Sequence, residues 1–478
     1  MRVLHVAWGF KPFRSGGLIE YAEDLMEIQL EKGYDVFYFC AGRYDIFVKG
    51  PKLKRWQHKR GYPVYELINP PILNGEELGT KTPDIETSEP LSEAFFTKLL
   101  AGLRPDVVHF HELQGLPTSL ISICKSRGVR TIFTTHDFFL ICPTTKLFLP
   151  DGRLCTLKGE ELCQECANCS VQAHHQGFKI QAKLSFRTYF TSKQFNMIKK
   201  LLALLGRKNP VKVTPLQPVP PSSGYLQRRE ENIRNLEMAD VILANSARTG
   251  ELYRHYSSFE NLRLLHITLR HIHRMRPLVL EAVNSTHPVI TFGLSNVMST
   301  SLKGRDLMLE VFDLLQENIA DYPCRFEFVV LGRLDDPAFL KPYPFVRYAG
   351  PYKVDQLDKV LQANKIKVGI VPSMCEEPFG LVGIEFLGKG IPVIGNKMGG
   401  ITDYVINHET GWVNERNNAE GLVSIIRHIL AHPAQINQIN LNLIGNRSKY
   451  IKSMDQHFHE IDAIYKEGQL RSKASPSL

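Results

Sequence analysis

Two glutamates, Glu377 and Glu385, stand on either side of a Pro-Phe-Gly turn in the C-terminal half of the sequence. A short apolar strand is predicted at 368–371 before this turn, and a helix is predicted to begin at Leu381. The bare N–H groups and positive dipole at the start of a helix bind phosphate groups. Carboxylates accept hydrogen bonds from neighbouring hydroxyls. Residues 373–385 therefore predict a site for a diphosphate whose two ends carry hydroxyl groups.

The elements that would position this site alternate between short apolar runs and helical stretches. In the N-terminal half, strands are predicted at 3–7, 35–40, 107–110, 130–134 and 240–245. In the C-terminal half, they are predicted at 289–293, 326–331, 368–371 and 392–395. Uninterrupted apolar strands separated by helices are typical of parallel sheets that helices cover on both faces. We therefore predict an α/β fold with two Rossmann-like, doubly wound lobes.

The predicted domains divide the chain near residue 285. Residues 1–285 are predicted to form the first lobe, with an insertion rich in cysteine and basic residues at about 142–235. Residues 286–450 are predicted to form the lobe that carries Glu377 and Glu385. Residues 451–478 are predicted to form a helix and tail, the helix crossing back to the first lobe. The two lobes are expected to face a central cleft.

Composition and charge exclude several classes of protein. The 478 residues are 43% hydrophobic and 22% charged, which is typical of a globular chain of two domains. A net charge of +9 suits phosphorylated ligands or an anionic membrane surface, and no nucleic-acid-binding motif accompanies it. The N-terminus lacks a signal-peptide pattern, and no run of 18 apolar residues occurs. A cytoplasmic protein is predicted, with peripheral contact at the inner face of the membrane as an open alternative.

A longer series of residues carries a resemblance to a known family. Residues 377–385 read Glu-Pro-Phe-Gly-Leu-Val-Gly-Ile-Glu, and 390–394, 399–400, 403–405 and 410–413 continue the pattern. This series resembles the signature of the GT-B glycosyltransferases of the GT4 (glycosyltransferase group 1) family, most strongly over 289–413. The resemblance implies retaining transfer of a hexosyl group from a nucleoside diphosphate sugar to a hydroxyl of a glycan or lipid-linked glycan. It also implies polysaccharide or cell-surface glycan biosynthesis, and chemistry without a catalytic metal.

The same resemblance implies roles for individual residues. Glu385 would bind the nucleotide ribose, and Glu377 would contact hydroxyls of the donor sugar. Lys303 matches the basic residue that neutralises the diphosphate, and such charge helps the nucleoside diphosphate to leave. The remaining residues implied at the donor are Gly16, Gly17, Phe379, Gly380, Leu381 and Val382.

One stretch departs from the family pattern, which places an arginine shortly after the first strand of the second lobe. Residues 293–298 here read Gly-Leu-Ser-Asn-Val-Met. Either Arg305 or another basic group substitutes, or donor binding is weaker. A nucleotide-sugar-binding protein with impaired catalysis is therefore the alternative function. An oxidoreductase is disfavoured because no Gly-x-Gly-x-x-Gly follows Val6.

Two histidines are each followed by an acidic residue at the end of a predicted strand, as His111-Glu112 and His136-Asp137. A carboxylate beside an imidazole can orient the ring by a hydrogen bond. In similar enzymes the position of His136 contacts the donor sugar, so the resemblance implies that His136 is catalytic, together with Glu377 and Lys303. We expect His111 and Asp137 on the acceptor side.

Five of the nine cysteines lie between 142 and 169. Cys163, Cys166 and Cys169 form two Cys-x-x-Cys steps, and Cys155 precedes them. Four thiolates suit a tetrahedral zinc ion, so a structural zinc site is predicted at Cys155, Cys163, Cys166 and Cys169. Cys142 is an alternative ligand. Ordinary buried thiols and an iron–sulfur cluster are the other interpretations.

A basic and apolar segment follows at 179–208. A basic amphipathic helix can lie on anionic lipid, which would suit a lipid-linked acceptor. The alternative is a solvated helix that packs its apolar side on the lobe.

Overall fold

The computed structural model describes the chain except residues 12, 74–77, 191–193, 195–196, 198–218, 282–288, 318, 320–321 and 474–478. The chain divides into two compact units, which are called unit 1 and unit 2. Unit 1 consists of Met1–Ala244, Gly250–Leu264 and Glu460–Leu478. Unit 2 consists of Asn245–Thr249 and Leu265–His459.

Unit 1 contains an eight-stranded sheet in the order β3-β4-β2-β1-β5-β6-β7-β8. β3 pairs antiparallel with β4, and the other neighbouring strands are parallel. The edge strand β3 is rich in lysine and arginine and largely exposed, which protects a sheet edge from pairing with another chain. The strands are β1 (Arg2–Ala7), β2 (Asp35–Ala41), β3 (Lys52–Gln57), β4 (Pro63–Ile68), β5 (Val107–Phe110), β6 (Arg130–Thr135), β7 (Val241–Ala244) and β8 (Leu262–Leu264).

Helices connect these strands. α2 shows how the local sequence starts them, because the side chain of Glu89 accepts hydrogen bonds from the first amides of the helix and Pro90 occupies its first position. The helices are α1 (Gly17–Glu31), α2 (Pro90–Leu103), α3 (Ser119–Ser126), α4 (Glu161–Cys169), α5 (Val171–Tyr189), α6 (Gly224–Glu237) and α7 (Ala247–Tyr256).

Unit 2 contains a six-stranded parallel sheet in the order β11-β10-β9-β12-β13-β14. Its strands are β9 (Val289–Ser295), β10 (Arg325–Leu331), β11 (Val346–Gly350), β12 (Val368–Val371), β13 (Val393–Asn396) and β14 (Gly411–Asn414). The helices that follow in the chain are α8 (Arg270–Arg274), α9 (Arg305–Glu317), α10 (Leu357–Ala363), α11 (Leu381–Gly388), α12 (Ala419–Ala431), α13 (Ala434–Gly445), α14 (Arg447–Tyr450) and α15 (Met454–Lys473).

Both sheets reverse their strand order beside the first strand. β1 lies between β2 and β5, and β9 lies between β10 and β12. In such sheets, ligands bind outside the carboxyl ends of the strands at the point of reversal. The fold therefore predicts ligand sites at the loops that follow β9 and β12 in unit 2, and at the loops that follow β1 and β5 in unit 1. The predicted α/β fold with two Rossmann-like parallel sheets is confirmed.

The central strands of both sheets are buried. β5, β7, β12 and β13 are buried along their whole length, and β1 and β9 are buried after their first residue. This burial on both faces explains why these strands read as continuous apolar runs in the sequence. None of the described helices is both long and apolar enough to span a bilayer. Of the predicted basic segment, 179–189 lie in α5, whereas most of 191–208 falls outside the described residues.

Candidate functional site

The turn after β12 ends in a left-handed glycine that starts α11. Gly380 has a φ of +70°, a conformation that residues with a Cβ adopt rarely. Its carbonyl oxygen accepts a hydrogen bond from the Tyr404 hydroxyl at 2.6 Å. The backbone amides of Leu381 and Val382, in the first turn of α11, have no acceptor among the described residues. This arrangement suits an oxyanion of a ligand.

Lys303 and Glu377 form an ion pair at the point where the sheet order of unit 2 reverses. The Nζ of Lys303 lies 2.8 Å from Oε1 of Glu377, and the hydroxyl of Ser373 also donates to this carboxylate. The loops after β9 and β12 meet closely because Gly304 lacks a Cβ. A Cβ there would lie 2.3 Å from the carbonyl oxygen of Pro372. Two residues that are 74 positions apart thereby share one site.

The glycine pair 399–400 holds the backbone around Glu377. The amide of Gly399 donates to Oε2 of Glu376 at 2.8 Å, and the amide of Gly400 donates to the carbonyl oxygen of Glu377 at 2.7 Å. A Cβ on Gly399 would lie 2.4 Å from the Glu377 carbonyl oxygen, and one on Gly400 would lie 2.4 Å from that of Pro378. The small size of both residues therefore allows backbone to pack directly on backbone.

Glu385 lies on α11 and is mostly buried. Its Oε1 is 2.8 Å from Nε2 of His271, with side-chain exposures of 12% and 17%. Burial raises the pKa of Tyr404 well above its usual value, and the carboxylates of Glu377 and Glu385 raise it further. The hydroxyl of Tyr404 is therefore within electrostatic reach of both glutamates, so the structure brings the two predicted carboxylates into one region of unit 2.

A tyrosine occupies the neighbourhood in which the family pattern has an arginine. The hydroxyl of Tyr352 is 2.6 Å from Oγ of Ser295, and Nδ2 of Asn296 donates to it at 3.0 Å. Burial, followed by the charge of Glu385, raises the pKa of Tyr352 to about 12. Neutral hydrogen-bonding groups thus stand at the end of β9.

Arg305, one candidate to replace that arginine, bonds to residues close to it in the chain. Its Nε donates to Oδ1 of Asp306 at 2.8 Å, and its Nη2 donates to Oγ of Ser301 at 2.9 Å. Lys303, by contrast, forms an ion pair directly with Glu377.

In unit 1, the predicted glycine pair stands at the start of α1. Gly16 has a φ of +134° and precedes the helix without a side-chain cap. A Cβ on Gly16 would meet nothing within 4 Å, and both Gly16 and Gly17 are exposed. Glycine is therefore needed at position 16 for its backbone conformation, and the N-terminus of α1 is open to solvent.

A chain of buried hydrogen bonds leads from α1 and α15 to His136. The amide nitrogen of Gln29 donates to the Tyr465 hydroxyl at 3.3 Å, so its oxygen faces Nε2 of His5 at 2.7 Å. Nδ1 of His5 lies 2.9 Å from Nε2 of His111, and Nδ1 of His111 lies 3.4 Å from Nε2 of His136. An amide oxygen only accepts, so for neutral rings each Nε2 carries the proton and each Nδ1 accepts. The chain therefore sets the tautomer of His136.

The same region holds three histidines whose nitrogens lie close together. His5, His109 and His111 are the group among the described residues in which three candidate metal ligands lie within 4.8 Å of one another. Nδ1 of His109 is 2.6 Å from the Tyr465 hydroxyl, and its Nε2 is 2.7 Å from Oγ1 of Thr134. Because both nitrogens of His5 are engaged as well, we interpret this group as a hydrogen-bonded relay.

The acidic partners of the two predicted histidine pairs cap turns. Oδ1 of Asp137 accepts from the amide of Phe139 at 2.8 Å, and Oε1 of Glu112 accepts from the amide of Leu113 at 2.7 Å. Gln114 donates to both carboxylates at 3.4 Å. Burial and the nearby Asp137 raise the pKa of Glu112 well above its usual value. Asp137 thus shapes the turn that carries His136.

The buried histidines predict a sensitivity to acid. Burial lowers the pKa of His5 from 6.5 to about 4 and that of His111 well below 6.5. Below pH 6.5 these histidines bind protons in the unfolded chain but stay neutral in the folded chain. Their contribution to the free energy of unfolding is therefore fully present above pH 6.5 and decreases as the pH falls towards 4. We expect each histidine to contribute about 1.4 kcal/mol per pH unit to this loss.

Urea unfolding at pH 7.5 and 5.5 measures the effect. His5→Gln should flatten the pH dependence, whereas His459→Gln, at a histidine whose side chain is 63% exposed, should leave it unchanged. An equally steep dependence in His5→Gln would contradict the assignment.

The cysteine cluster also lies in unit 1. All nine cysteines of the chain are free thiols. Cys163, Cys166 and Cys169 all lie on α4, Cys142 and Cys155 lie between β6 and α4, and only Cys169 of these five is partly exposed. Among the described residues, no three of the cysteine thiols lie within 4.8 Å of one another, as the nitrogens of the histidine group do.

Several residues of the candidate site could not be identified from the sequence. Tyr404 stands within the family signature, but nothing in the neighbouring sequence signals that the charges of both glutamates raise its pKa. His271 precedes Glu385 by 114 positions, and Tyr352 follows Ser295 by 57. Only the pairing of distant elements brings them together.

Comparison with known proteins places part of the chain in a family. The family model "Glycosyl transferases group 1" matches residues 298–443, which include Lys303, Glu377 and Glu385. Glycogen synthase of Mycobacterium tuberculosis is 31% identical over 81 residues, which are 17% of this chain and 19% of that protein. The likeness to this curated relative is therefore confined to a fifth of its length.

Several solved structures resemble the whole chain. Sucrose-phosphate synthase from Thermosynechococcus elongatus has a TM-score of 0.59 at 17% identity, over 99% of this chain and 100% of that one. Anabaena HepE, solved in complex with UDP and glucose, has a TM-score of 0.53 at 12% identity, over 97% and 99%. At these identities the likeness shows the fold. Residues 298–443 are thus a group 1 glycosyl transferase domain, in a chain that has the two-unit α/β fold of the GT-B glycosyltransferases.

Proposed function

We propose that this protein is a retaining glycosyltransferase that moves a hexosyl group from a nucleoside diphosphate sugar to a hydroxyl of a glycan or lipid-linked glycan. One observation carries the proposal: the Lys303–Glu377 ion pair lies where the strand order of unit 2 reverses, and the uncapped N-terminus of α11 follows the same loop. A cation, bare amides and a carboxylate are the groups that a diphosphate joined to a sugar requires.

The donor would bind by exchanging partners with groups that are paired in this structure. Lys303 would turn from Glu377 to the diphosphate, which also accepts from the amides of Leu381 and Val382. Glu377, released from Lys303, would accept hydrogen bonds from hydroxyls of the sugar. Phe379 and Gly380 would contribute backbone groups to the same donor.

Charge stabilisation would then drive the reaction. Negative charge develops on the diphosphate as the bond to the sugar breaks, and groups already oriented towards that charge stabilise the transition state. A front-face mechanism, in which the leaving phosphate takes the proton of the acceptor hydroxyl, is compatible with these groups and requires no catalytic metal. We propose that His136 contacts the donor sugar, that Gly16 and Gly17 lie over the diphosphate, and that His111 and Asp137 serve the acceptor.

A screen of nucleotide sugars tests the proposal. The full chain is incubated with UDP-, GDP- and ADP-linked hexoses and a mixture of glycan acceptors, and release of the free nucleoside diphosphate is measured. UDP-glucose is tested first, because the structurally similar Anabaena HepE was solved with UDP and glucose. The anomeric configuration of the product, read by NMR, tests retention. If the chain neither binds any of these donors nor releases a nucleoside diphosphate from them, the proposed function is rejected.

The same screen distinguishes the enzyme from the alternative function. A protein that binds nucleotide sugars with impaired catalysis would bind a nucleoside diphosphate but release none from any donor with any acceptor. The direct ion pair between Lys303 and Glu377 favours the enzyme, because both predicted charged groups are present and adjacent.

Glu385 should determine recognition of the ribose. Loss of a hydrogen bond to a charged group costs about 1.5–3 kcal/mol, so Glu385→Gln is expected to lower kcat/KM for the donor about 10- to 100-fold. The preference for the nucleoside diphosphate over its 2′,3′-dideoxy analogue should disappear in the same variant. Glu310→Gln, at an exposed position of α9, is the control. An undiminished preference in Glu385→Gln would exclude this role.

The lipid-linked acceptor and the membrane contact through 179–208 are parts of the proposal that binding to vesicles can test. The chain should sediment with vesicles of anionic phospholipid at low salt, and a smaller fraction of it should sediment at high salt. If none sediments at low salt, a free glycan is the acceptor to pursue.

A further inference from the structure

The cysteine cluster of unit 1 cannot use all three of its helical cysteines for one metal ion. Cys163, Cys166 and Cys169 are spaced three residues apart on α4. A helix rises about 1.5 Å per residue, so Cys163 and Cys169 are separated by about 9 Å along its axis. Sulfur atoms around a tetrahedral zinc ion are only about 3.8 Å apart, given Zn–S bonds of about 2.3 Å. The helix therefore supplies two adjacent members of the series.

The surroundings indicate which two. Burial raises the pKa of the Cys166 thiol, and the charges of the neighbouring Cys142, Cys155 and Cys169 thiols raise it further. The thiol of Cys169 lies 3.7 Å from the carbonyl oxygen of Phe148, and Phe148 forms a β-bridge with Leu154, the residue before Cys155. These four thiols come from three places: the turn after β6, the segment before α4, and two positions on one face of α4. These four thiols are enough for a tetrahedral site, so Cys163 is not needed as a ligand.

A buried arginine stands beside the four thiols with donors that lack acceptors. Arg229, on α6, is 4% exposed, and its guanidinium interacts electrostatically with Cys166. Its Nη1 donates to the carbonyl oxygen of Leu157, but its Nε and Nη2 have no acceptor among the described residues. Its position is held by the ring of Tyr256, whose centroid lies 4.7 Å away and whose hydroxyl donates to the carbonyl oxygen of Cys155 at 2.6 Å.

Buried donors without acceptors call for a group that the protein chain does not supply. A zinc ion bound by four thiolates carries a net charge of −2, and thiolate sulfur accepts hydrogen bonds from neighbouring donors. Arg229 would both donate to the sulfurs and offset half of that charge.

We propose that Cys142, Cys155, Cys166 and Cys169 bind a structural zinc ion as four thiolates, with Arg229 as the neighbouring cation. Binding releases four protons, one from each thiol, and involves no redox change. It would draw the sulfurs together through changes of side-chain rotamer, replacing the present contacts of Cys142 with Thr144 at 3.2 Å and of Cys169 with the carbonyl oxygen of Phe148 at 3.7 Å. The ion would join α4 to the segment that follows β6.

Metal analysis of the purified full chain tests the proposal independently of enzymatic activity. About one zinc per chain is expected, and replacement by Co²⁺ should give the thiolate-to-cobalt charge-transfer absorption of four sulfur ligands. Cys142→Ser should lose the metal, whereas Cys163→Ser should retain it. The opposite result for these two variants would overturn the ligand set. Three results would overturn the zinc site. The first is less than a tenth of an equivalent of zinc after refolding with zinc, the second is iron with sulfide in place of zinc, and the third is disulfide bonds among these cysteines.

Arg229→Met tests the cation. Loss of such a neighbouring group is expected to weaken zinc affinity about 10- to 100-fold, measured by competition with a chromophoric chelator. Arg234→Met, on the same helix at an exposed side chain, is the matched control and should leave the affinity unchanged. Equal affinities in the two variants would exclude a role for Arg229.

Discussion

Replacing Lys303 with methionine is expected to lower kcat about 100- to 1000-fold while the fold stays intact. This is the magnitude that follows removal of one group that stabilises charge in a transition state. Methionine keeps the length of the side chain but cannot offset the charge of the departing diphosphate. Stability should change little, because the side chain of Lys303 is 42% exposed and exposed ion pairs contribute little to folding.

The kinetic parameters distinguish two roles for this lysine. If Lys303 acted on the bound diphosphate equally before and during the reaction, the substitution would raise KM and leave kcat unchanged. A fall in kcat shows that the charge acts mainly as the bond to the sugar breaks. Lys303→Arg, which keeps the cation, should recover part of the rate.

Lys449→Met is the matched control in unit 2. Lys449 is 61% exposed and also pairs with a glutamate, Glu409, but it lies on α14, away from the predicted donor residues. Its replacement should leave both kcat and KM unchanged. Turnover by Lys303→Met at the rate of the control would remove the lysine from the mechanism.

Replacing Arg228 with methionine is expected to reduce the stability of unit 1 by about 3–5 kcal/mol, the usual cost of leaving one partner of a buried ion pair alone. Arg228 is 1% exposed and pairs with Glu86, which is 4% exposed. Its Nη2 also donates to the carbonyl oxygen of Phe139 at 2.8 Å. Methionine would leave a buried carboxylate without its counter-charge and a carbonyl oxygen without its donor.

Urea unfolding measured by tryptophan fluorescence provides the test. The chain has three tryptophans, of which Trp8 and Trp56 belong to unit 1 and Trp412 to unit 2. In a Trp412→Phe background the signal therefore reports on unit 1, which avoids treating two units as one transition.

Two further variants establish the cause. Arg234→Met removes an exposed ion pair with Glu231 on the same helix and should cost no more than about 1 kcal/mol. Adding Glu86→Gln to Arg228→Met removes the unpaired charge and should restore part of the loss. Equal destabilisation by Arg228→Met and Arg234→Met would show that burial of the pair does not matter.

The donor segment could be predicted because its parts are contiguous in the chain. β12, the turn at Gly380 and α11 follow one another within 21 residues, Val368–Gly388. Each is decided by local chemistry: an apolar run for the strand, a glycine for the left-handed turn, and uncapped amides for the helix start. The roles of Glu377 and Glu385 stay predictions, although the charges of both raise the pKa of Tyr404.

Other elements were beyond prediction for identifiable reasons. β3 is among the strands that were not predicted, since it is a charged edge strand with no buried face to impose a pattern. The relay from Tyr465 to His136 joins α15 to α1, across 436 positions between Tyr465 and Gln29, and continues through β1 to the residues that follow β5 and β6. The zinc ligands were predicted from the spacing of the cysteines in the sequence alone, whereas the rise of α4 limits which of them can bind the same ion.

By itself, the sequence determined the α/β class, the two parallel sheets and the strand, turn and helix that carry Glu377 and Glu385. These depend on residue spacing within single elements, which the order of the chain specifies directly. Only the tertiary structure decided that Lys303 faces Glu377, that Tyr352 stands at the end of β9, and that Arg229 stands beside the cysteines. Such neighbours depend on strand order and helix packing, because residues far apart in sequence meet only after the sheets have formed.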